Sequence, residues 1–62
     1  MITLDEARRR IGAGVVYRAH PDAQAEDGVI VRVGAPWVFV RYSGDVTPKA
    51  TAPTQLDWLV RR

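Results

Sequence analysis

Four side chains in two neighbouring segments have the chemistry to bind a ligand by stacking and by charge: Arg32, Trp37, Phe39 and Arg41. Successive side chains of an extended strand point to opposite faces, so Trp37, Phe39 and Arg41 share one face if their segment is a strand. Guanidinium planes and aromatic rings stack on nucleobases, and the same residue types dominate protein–protein hot spots. These four residues are the predicted ligand-binding face.

The same face has a second interpretation that involves no ligand. If the N-terminal helix covers it, Trp37 and Phe39 belong to the core. The two arginines then lie along the rim with their aliphatic stems buried and their charged heads in water. Both interpretations of the face stay open at the level of the sequence.

Arginines also cluster near both ends of the chain, at Arg8, Arg9, Arg10, Arg61 and Arg62. Three consecutive helical residues spread over more than half of the helix circumference, because each step turns by about 100°. The N-terminal cluster is therefore predicted to be a solvated helix end that complements the helix dipole. If the C-terminal pair folds back beside the helix, all five arginines form a possible nucleic-acid patch that neutralises a few phosphates.

Catalytic and metal-binding patterns are missing from the sequence. His20 lies near Asp22, but no serine or cysteine nucleophile accompanies them in a motif. The chain has no cysteine and a single histidine, which leaves neither a disulfide nor a common zinc site. The acids Asp22, Glu26 and Asp27 lack the count and spacing of a calcium loop. We predict a non-catalytic protein without cofactor or metal.

Length and charge limit the class of protein further. A chain of 62 residues forms one domain, here residues 1–62, with a thin core. Its net charge of +2 is too small to identify a nucleic-acid binder, so the distribution of charge matters more than the sum. No apolar run is long enough for a membrane span, and no signal-peptide pattern opens the chain. With the lack of cysteine, this predicts a cytoplasmic protein without membrane contact.

The longest predicted element is a hairpin over residues 28–42. Two β-branched and aromatic runs flank a Gly-Ala-Pro break at residues 34–36, which is the pattern of a hairpin. A register that pairs Val33 with Val38, Val31 with Val40 and Val29 with Tyr42 gives one wholly apolar face. Val31 and Val40 are then core residues, and replacing either with alanine is expected to cost about 1–3 kcal/mol of stability.

The flanking segments predict a small mainly β domain. Thr3-Leu4-Asp5-Glu6 fits a capping box, which begins a helix predicted over residues 3–11. Strands are predicted within residues 15–51, and a helical turn over residues 53–60 has Pro53 at its first position. Short strands, one long hairpin and this turn predict a strongly bent barrel of about five strands.

Two parts of the chain resemble known small barrels. Residues 12–18 (GAGVVYR), a loop and residues 26–33 (EDGVIVRV) resemble the opening of SH3-like barrels of the KOW and Tudor kind. There a Gly-x-x-Val strand leads through a loop into a Gly-Val-Ile strand. Residues 38–45 (VFVRYSGD), Lys49-Ala50-Thr51 and Pro53-x-x-Leu56 are similar to short uncharacterised proteins of bacteriophages and prophages. The resemblance implies an SH3-like fold, a phage or prophage origin and the cytoplasm of a bacterial host.

KOW and Tudor relatives bind RNA, ribosomal or polymerase partners, or modified side chains in aromatic cages. A cage needs several aromatic rings that converge on a cation. This chain has five aromatic residues, of which at least two are expected in the core: Tyr17, Trp37, Phe39, Tyr42 and Trp58. The resemblance therefore implies a binding role without selecting the ligand.

Two functions are compatible with these observations. The first is a binding module that docks on a protein partner, such as a host protein, through the Arg/aromatic face. The alternative is a DNA- or RNA-binding protein that uses the same face and the arginine clusters. Acids spread around the domain favour the first, because they repel phosphate, whereas acids confined to one end favour the second. Charged residues on strand edges predict a monomer or weak homodimer.

Overall fold

The N-terminal helix begins at the predicted capping box. The Thr3 hydroxyl accepts the backbone N–H of Glu6 at 3.1 Å, and the Glu6 carboxylate accepts the backbone N–H of Thr3 at 3.0 Å. Helix α1 spans Leu4–Arg9 and is shorter than the predicted range of 3–11. Gly12 follows with φ +92°, a left-handed conformation that glycine adopts without strain and that turns the chain toward the sheet.

Five antiparallel strands form one sheet in this computed structural model, which describes residues 1–59. The strands are β1 (Gly14–Tyr17), β2 (Glu26–Gly34), β3 (Trp37–Tyr42), β4 (Lys49–Thr51) and β5 (Leu56–Trp58). Their order in the sheet is β4-β3-β2-β1-β5. Strand β2 pairs with β1 at one end and with β3 along most of its length, so it joins the two halves of the sheet. The predicted mainly β class is confirmed, and the sheet is not closed between β4 and β5.

The predicted register of the hairpin is correct next to the turn and wrong from the bulge to the start of β2. Val33 pairs with Val38 as predicted, but a β-bulge between Ile30 and Arg32 shifts the rest of β2 by one residue. Ile30 therefore pairs with Val40. A one-residue shift moves every following side chain to the other face of the strand. Ile30 is consequently buried, with 1% of its surface exposed, whereas Val31 is 40% exposed and is not a core residue.

The bulge also changes the pairing near the start of β2. Val29 lies opposite Arg41, and Gly28 lies opposite Tyr42, where the predicted register paired Val29 with Tyr42. Val29 is 39% exposed and, like Val31, leaves the predicted apolar core face. The buried core of the described residues instead consists of Ile2, Ala7, Val15, Ile30, Val38, Val40 and Leu56.

The C-terminal turn is shorter than predicted. A 3-10 turn covers Pro53–Gln55, with the proline in its first turn, and strand β5 follows at once where the sequence predicted helix up to residue 60. Leu56 is buried and Asp57 is exposed, which is the alternation of a strand. Strand β5 returns along β1, where Trp58 pairs with Val15. The predicted patch residues Arg61 and Arg62 lie outside the described residues.

Helices of membrane-spanning length and apolarity do not occur within residues 1–59.

Candidate binding face

The structure brings the four predicted binding residues to one face of the β2–β3 hairpin. Trp37, Phe39 and Arg41 alternate along β3, and Arg32 lies opposite Phe39 on β2. Both arginines are exposed, Trp37 is 45% exposed and Phe39 is half-buried. Neither aromatic residue belongs to the buried core. The interpretation in which helix α1 covers this face and makes both rings core residues is therefore wrong.

Arg32 and Phe39 form a stacked pair on this face. The guanidinium carbon of Arg32 lies 3.9 Å from the centroid of the Phe39 ring, within the range of a cation–π contact. Gly34 makes room for the ring, since a Cβ atom at position 34 would lie 2.9 Å from Cε2 of Phe39. Stacking holds the guanidinium plane in place, and its N–H groups remain directed outward along the edge of the plane.

Two valines that sequence reasoning assigned to the core join this face. Val29 lies opposite Arg41, and Val31 is the unpaired residue of the bulge. We define the outer face as Val29, Val31, Arg32, Trp37, Phe39 and Arg41. The β-branched run around Ile30 gives no signal for the bulge, because valine and isoleucine are equally suited to either face of a strand. The burial of Gly28 and Ile30 in the structure shows which residues of β2 face the core and which face outward.

The arginines of the outer face have no ion-pair partner within residues 1–59. The ion pairs of this part of the chain join Arg8 to Asp5 at 3.2 Å, Lys49 to Asp45 at 3.4 Å, and the Met1 amino group to Asp57. Asp27 and Asp45 nevertheless lie near one end of the outer face, because both line a depression of about 540 Å³ together with Arg41. The face is thus basic at Arg32 and of mixed charge at Arg41.

The N-terminal arginines point to different neighbours. Arg8 pairs with Asp5 one turn earlier on the helix. The guanidinium carbon of Arg10 lies 4.4 Å from the centroid of the Trp58 ring, so this side chain packs across strand β5. Arg9 is exposed at the end of α1. Three of the five arginines of the predicted nucleic-acid patch lie within the described residues, and each of the three has different surroundings.

A second depression borders the free edge of β4. This β4 cleft has a volume of about 400 Å³ and is lined by Tyr17, Tyr42, Glu26 and Lys49, among others. The rings of Tyr17 and Tyr42 meet edge to face, with their centroids 5.8 Å apart. The Tyr42 hydroxyl shares a hydrogen bond of 2.8 Å with Thr51, and burial raises its pKa above the ordinary value. Sequence reasoning did not select this cleft, because its walls come from segments far apart in the chain.

Of the remaining sequence candidates, His20 and Asp22 are exposed loop residues, whereas Glu26 and Asp27 are exposed at the start of strand β2. His20 lies in the loop between β1 and β2, where its backbone carbonyl accepts the N–H of Ala23 at 2.9 Å. Within residues 1–59, no three potential metal ligands come close enough to hold an ion. No family model, curated protein or solved structure matches the chain. Within residues 1–59, the fold and the site together define a small, mainly β domain with an exposed Arg/aromatic face on the β2–β3 hairpin.

Proposed function

We propose that this protein is a small non-catalytic binding module that docks on a protein partner through its outer face. The observation that carries the proposal is the exposed Trp37 on the same face as Arg32 and Arg41. Tryptophan and arginine are the residues most enriched at the energetic centres of protein interfaces. Exposed valines beside them extend the apolar area that a partner can cover.

The geometry of the outer face suits docking in two ways. Covering Val29, Val31 and Trp37 removes from water the 39–45% of each residue's surface that is exposed, and buried apolar area contributes roughly 25 cal/mol per Å². The stack of Arg32 on Phe39 orders a long side chain before the partner arrives. Less side-chain entropy is then lost on binding, which raises the affinity.

The distribution of acids favours a protein over a nucleic acid. Asp27 and Asp45 lie near the Arg41 end of the outer face, while Asp5 and Asp57 lie on α1 and β5. Carboxylates on several sides of a small domain weaken the positive potential that attracts phosphates. A partner with both polar and apolar groups tolerates this mixture of charges, because its own groups can complement each sign.

Binding to DNA or RNA is the second candidate function. The Arg32–Phe39 stack and the exposed Trp37 are the kind of platform on which successive bases stack, worth roughly 1–3 kcal/mol per base. Arg9 and the two arginines of the outer face, which have no ion-pair partner within residues 1–59, are the cations that would contact phosphates. This candidate predicts strong salt dependence, since each neutralised phosphate releases counterions.

The fold we propose is an SH3-like barrel of the KOW or Tudor kind, from a phage or prophage protein that acts in the bacterial cytoplasm. The strand order β4-β3-β2-β1-β5, the long β2 shared by both halves and the 3-10 turn before β5 support this fold. The sequence resemblance supports the origin. A fold of this type hosts many ligands, so the function rests on the outer face and not on the fold.

The test compares the wild-type protein with the double variant Arg32→Ala/Arg41→Ala. Each is immobilised, exposed to a bacterial lysate with and without nuclease, and also titrated with fluorescein-labelled oligonucleotides. If the protein docks on a protein partner, the wild type is expected to capture that partner from the nuclease-treated lysate, and the double variant is expected not to capture it. Oligonucleotide binding that weakens steeply with salt would replace the first proposal with the second. If neither ligand distinguishes the two proteins, the outer face is not a binding site.

Stability provides the control for this comparison. Both arginines are exposed and lack ion-pair partners within residues 1–59, and the exposed stack of Arg32 on Phe39 is worth about 0.5–1 kcal/mol, so the double variant is expected to unfold within about 1 kcal/mol of the wild type. Val40→Ala, a substitution at a fully buried core residue, provides the destabilised reference. If the double variant unfolds as readily as Val40→Ala, the arginines are structural and the site assignment fails.

A further inference from the structure

We propose that the β4 cleft binds an extended, basic segment of a partner protein, which adds to the free edge of β4 as a further strand. This is a second site, and it shares only Trp37 with the outer face. Addition of a strand to an exposed sheet edge is a recurrent mode of peptide recognition, in which backbone hydrogen bonds supply affinity and pockets for alternate side chains supply specificity.

The cleft runs along the whole length of β4. Four consecutive residues from Lys49 to Ala52 line it. Side chains of a strand alternate between faces, so four consecutive lining residues mean that the cleft includes the backbone of β4 and not only the side chains of one face. Strand β4 also ends the sheet, with β3 as its one neighbour in the strand order. Within residues 1–59, no backbone–backbone hydrogen bond joins Lys49, Ala50 or Thr51 to a segment other than β3, and the Thr51 hydroxyl donates to the Lys49 carbonyl at 3.3 Å.

The side chains of the cleft select the chemistry of the segment. Its aromatic wall is the edge-to-face pair of Tyr17 and Tyr42, and the hydroxyl of Tyr42 is fixed by Thr51. Two acids line the cleft, but Asp45 is already paired with Lys49 at 3.4 Å. Glu26 has no ion-pair partner among the described residues. The unbalanced charge of the cleft is therefore negative, which complements a lysine or arginine of the incoming strand.

The incoming strand places its side chains alternately toward the cleft and away from it. A basic side chain directed inward can lay its apolar stem along the tyrosine rings and bring its charge to Glu26. A cleft of about 400 Å³ is large enough for one such side chain and the adjoining backbone. Self-pairing of β4 is the competing use of the same edge. The strand is three residues long and carries Lys49, two features that discourage association of identical edges.

The test uses the peptide acetyl-Val-Thr-Arg-Val-Thr-amide and amide NMR of the isotope-labelled protein. We expect the peptide to shift the amide signals of Lys49, Ala50 and Thr51. Replacing the central arginine of the peptide with glutamate is expected to weaken binding about tenfold. Two further peptides carry N-methyl groups on alternate sets of amides. One set removes the donors that face β4 and is expected to abolish binding, while the other set leaves binding unchanged.

Protein variants locate the charge and separate the two proposed sites. Glu26→Gln is expected to weaken peptide binding severalfold, whereas Asp22→Asn, an equal change of charge in the exposed loop between β1 and β2, leaves it unchanged. The double variant Arg32→Ala/Arg41→Ala retains peptide binding, since both arginines lie on the outer face. If it loses the peptide, the peptide occupies the outer face and the β4 site is wrong.

Three other outcomes would overturn the proposal. The first is the absence of shifts in β4 at millimolar concentrations of the peptide. The second is equal binding of both N-methylated peptides, since strand addition requires one set of amides. The third is a set of shifts in β4 that grows with protein concentration without any peptide, because the edge would then be an interface between two copies of the chain.

Discussion

Ile30 and Val31 are neighbours in the chain, but the bulge gives them opposite surroundings. Ile30 is 1% exposed and packs in the core, whereas Val31 is 40% exposed on the outer face. We expect Ile30→Ala to lower the free energy of unfolding by about 2–5 kcal/mol, because it opens a cavity in a thin core. Val31→Ala removes exposed methyl groups and is expected to cost no more than about 0.5 kcal/mol.

Urea unfolding followed by tryptophan fluorescence measures both variants. Val40→Ala is a useful companion, since Val40 is fully buried and pairs with Ile30 across the hairpin. A loss of stability in Val31→Ala as large as that in Val40→Ala would mean that the bulge is absent and that the bulge-free register of the hairpin is correct.

The Tyr42 hydroxyl gives a prediction for alkaline solution. Burial raises its pKa in the folded protein above the ordinary value of 10.0, which applies to the unfolded chain. Between these two pKa values the unfolded state has lost its proton and the folded state has kept it. Fewer protons are then bound in the unfolded state, so the free energy of unfolding falls as pH rises through this window. Below pH 10 this residue adds no pH dependence.

Urea unfolding of the wild type and of Tyr42→Phe from pH 9 upward tests this assignment. Phenylalanine cannot ionise, so the variant is expected to lose stability less steeply than the wild type above about pH 10. Its stability at neutral pH is lower by about 1 kcal/mol, because the hydrogen bond between Tyr42 and Thr51 is lost while that from Thr51 to the Lys49 carbonyl remains. Equal slopes in the two proteins would show that Tyr42 ionises as freely in the folded state as in the unfolded one.

At the scale of helices and strands, motifs of a few adjacent residues predicted the ends of elements better than the alternation of side chains predicted their buried faces. The capping box at Thr3 and Glu6 begins α1 as expected, and Pro53 opens the 3-10 turn. Both features depend on a few adjacent residues. The face of β3 was also predicted correctly, since its aromatic and arginine residues alternate with valines.

Strand β2 was the exception, and its composition explains why. Residues 29–31 are all β-branched and apolar, so either alternation places a suitable residue in the core. Tertiary packing determines which of the two alternations forms, because Ile30 fills the interior and Gly28 approaches β3 closely. The outer face was consequently predicted in its arginines and aromatics but not in Val29 and Val31. The β4 cleft could not be predicted at all, because it forms where β1, the 3-10 turn and β4 meet.

Gly28 tests the close approach of β2 to β3. A Cβ atom at this position would lie 2.5 Å from Cγ1 of Val40 and 3.2 Å from the carbonyl oxygen of Arg41. Val40 is β-branched and fully buried, so its side chain cannot move aside, and we expect Gly28→Ala to cost about 1–3 kcal/mol of stability. Asp27→Ala, at the exposed preceding position, is the control and is expected to stay within about 0.5 kcal/mol. Wild-type stability in Gly28→Ala would show that the two strands are farther apart than described.

The whole molecule combines a thin core with an apolar surface that it does not cover itself. Within residues 1–59, seven apolar side chains form the buried core, while Val29, Val31 and Trp37 each expose 39% or more of their surface. Exposed apolar side chains on one face promote association unless charge prevents it. Arg32 and Arg41 supply that charge on the same face. Two copies that meet face to face would bring four arginines together, and within residues 1–59 none of these arginines has an acidic partner.

The double variant Arg32→Ala/Arg41→Ala therefore has a second expected property. Without the repulsion between like charges, its outer face is free to pair with that of another copy. Sedimentation velocity over a range of protein concentrations is expected to show the wild type as a monomer or weak dimer and the double variant as a clearly concentration-dependent oligomer. Arg9→Ala/Arg18→Ala removes the same charge elsewhere and is expected to sediment as the wild type does. If both double variants associate equally, net charge and not the outer face keeps the protein monomeric. Binding assays with the outer-face variant consequently need protein concentrations below the onset of its association.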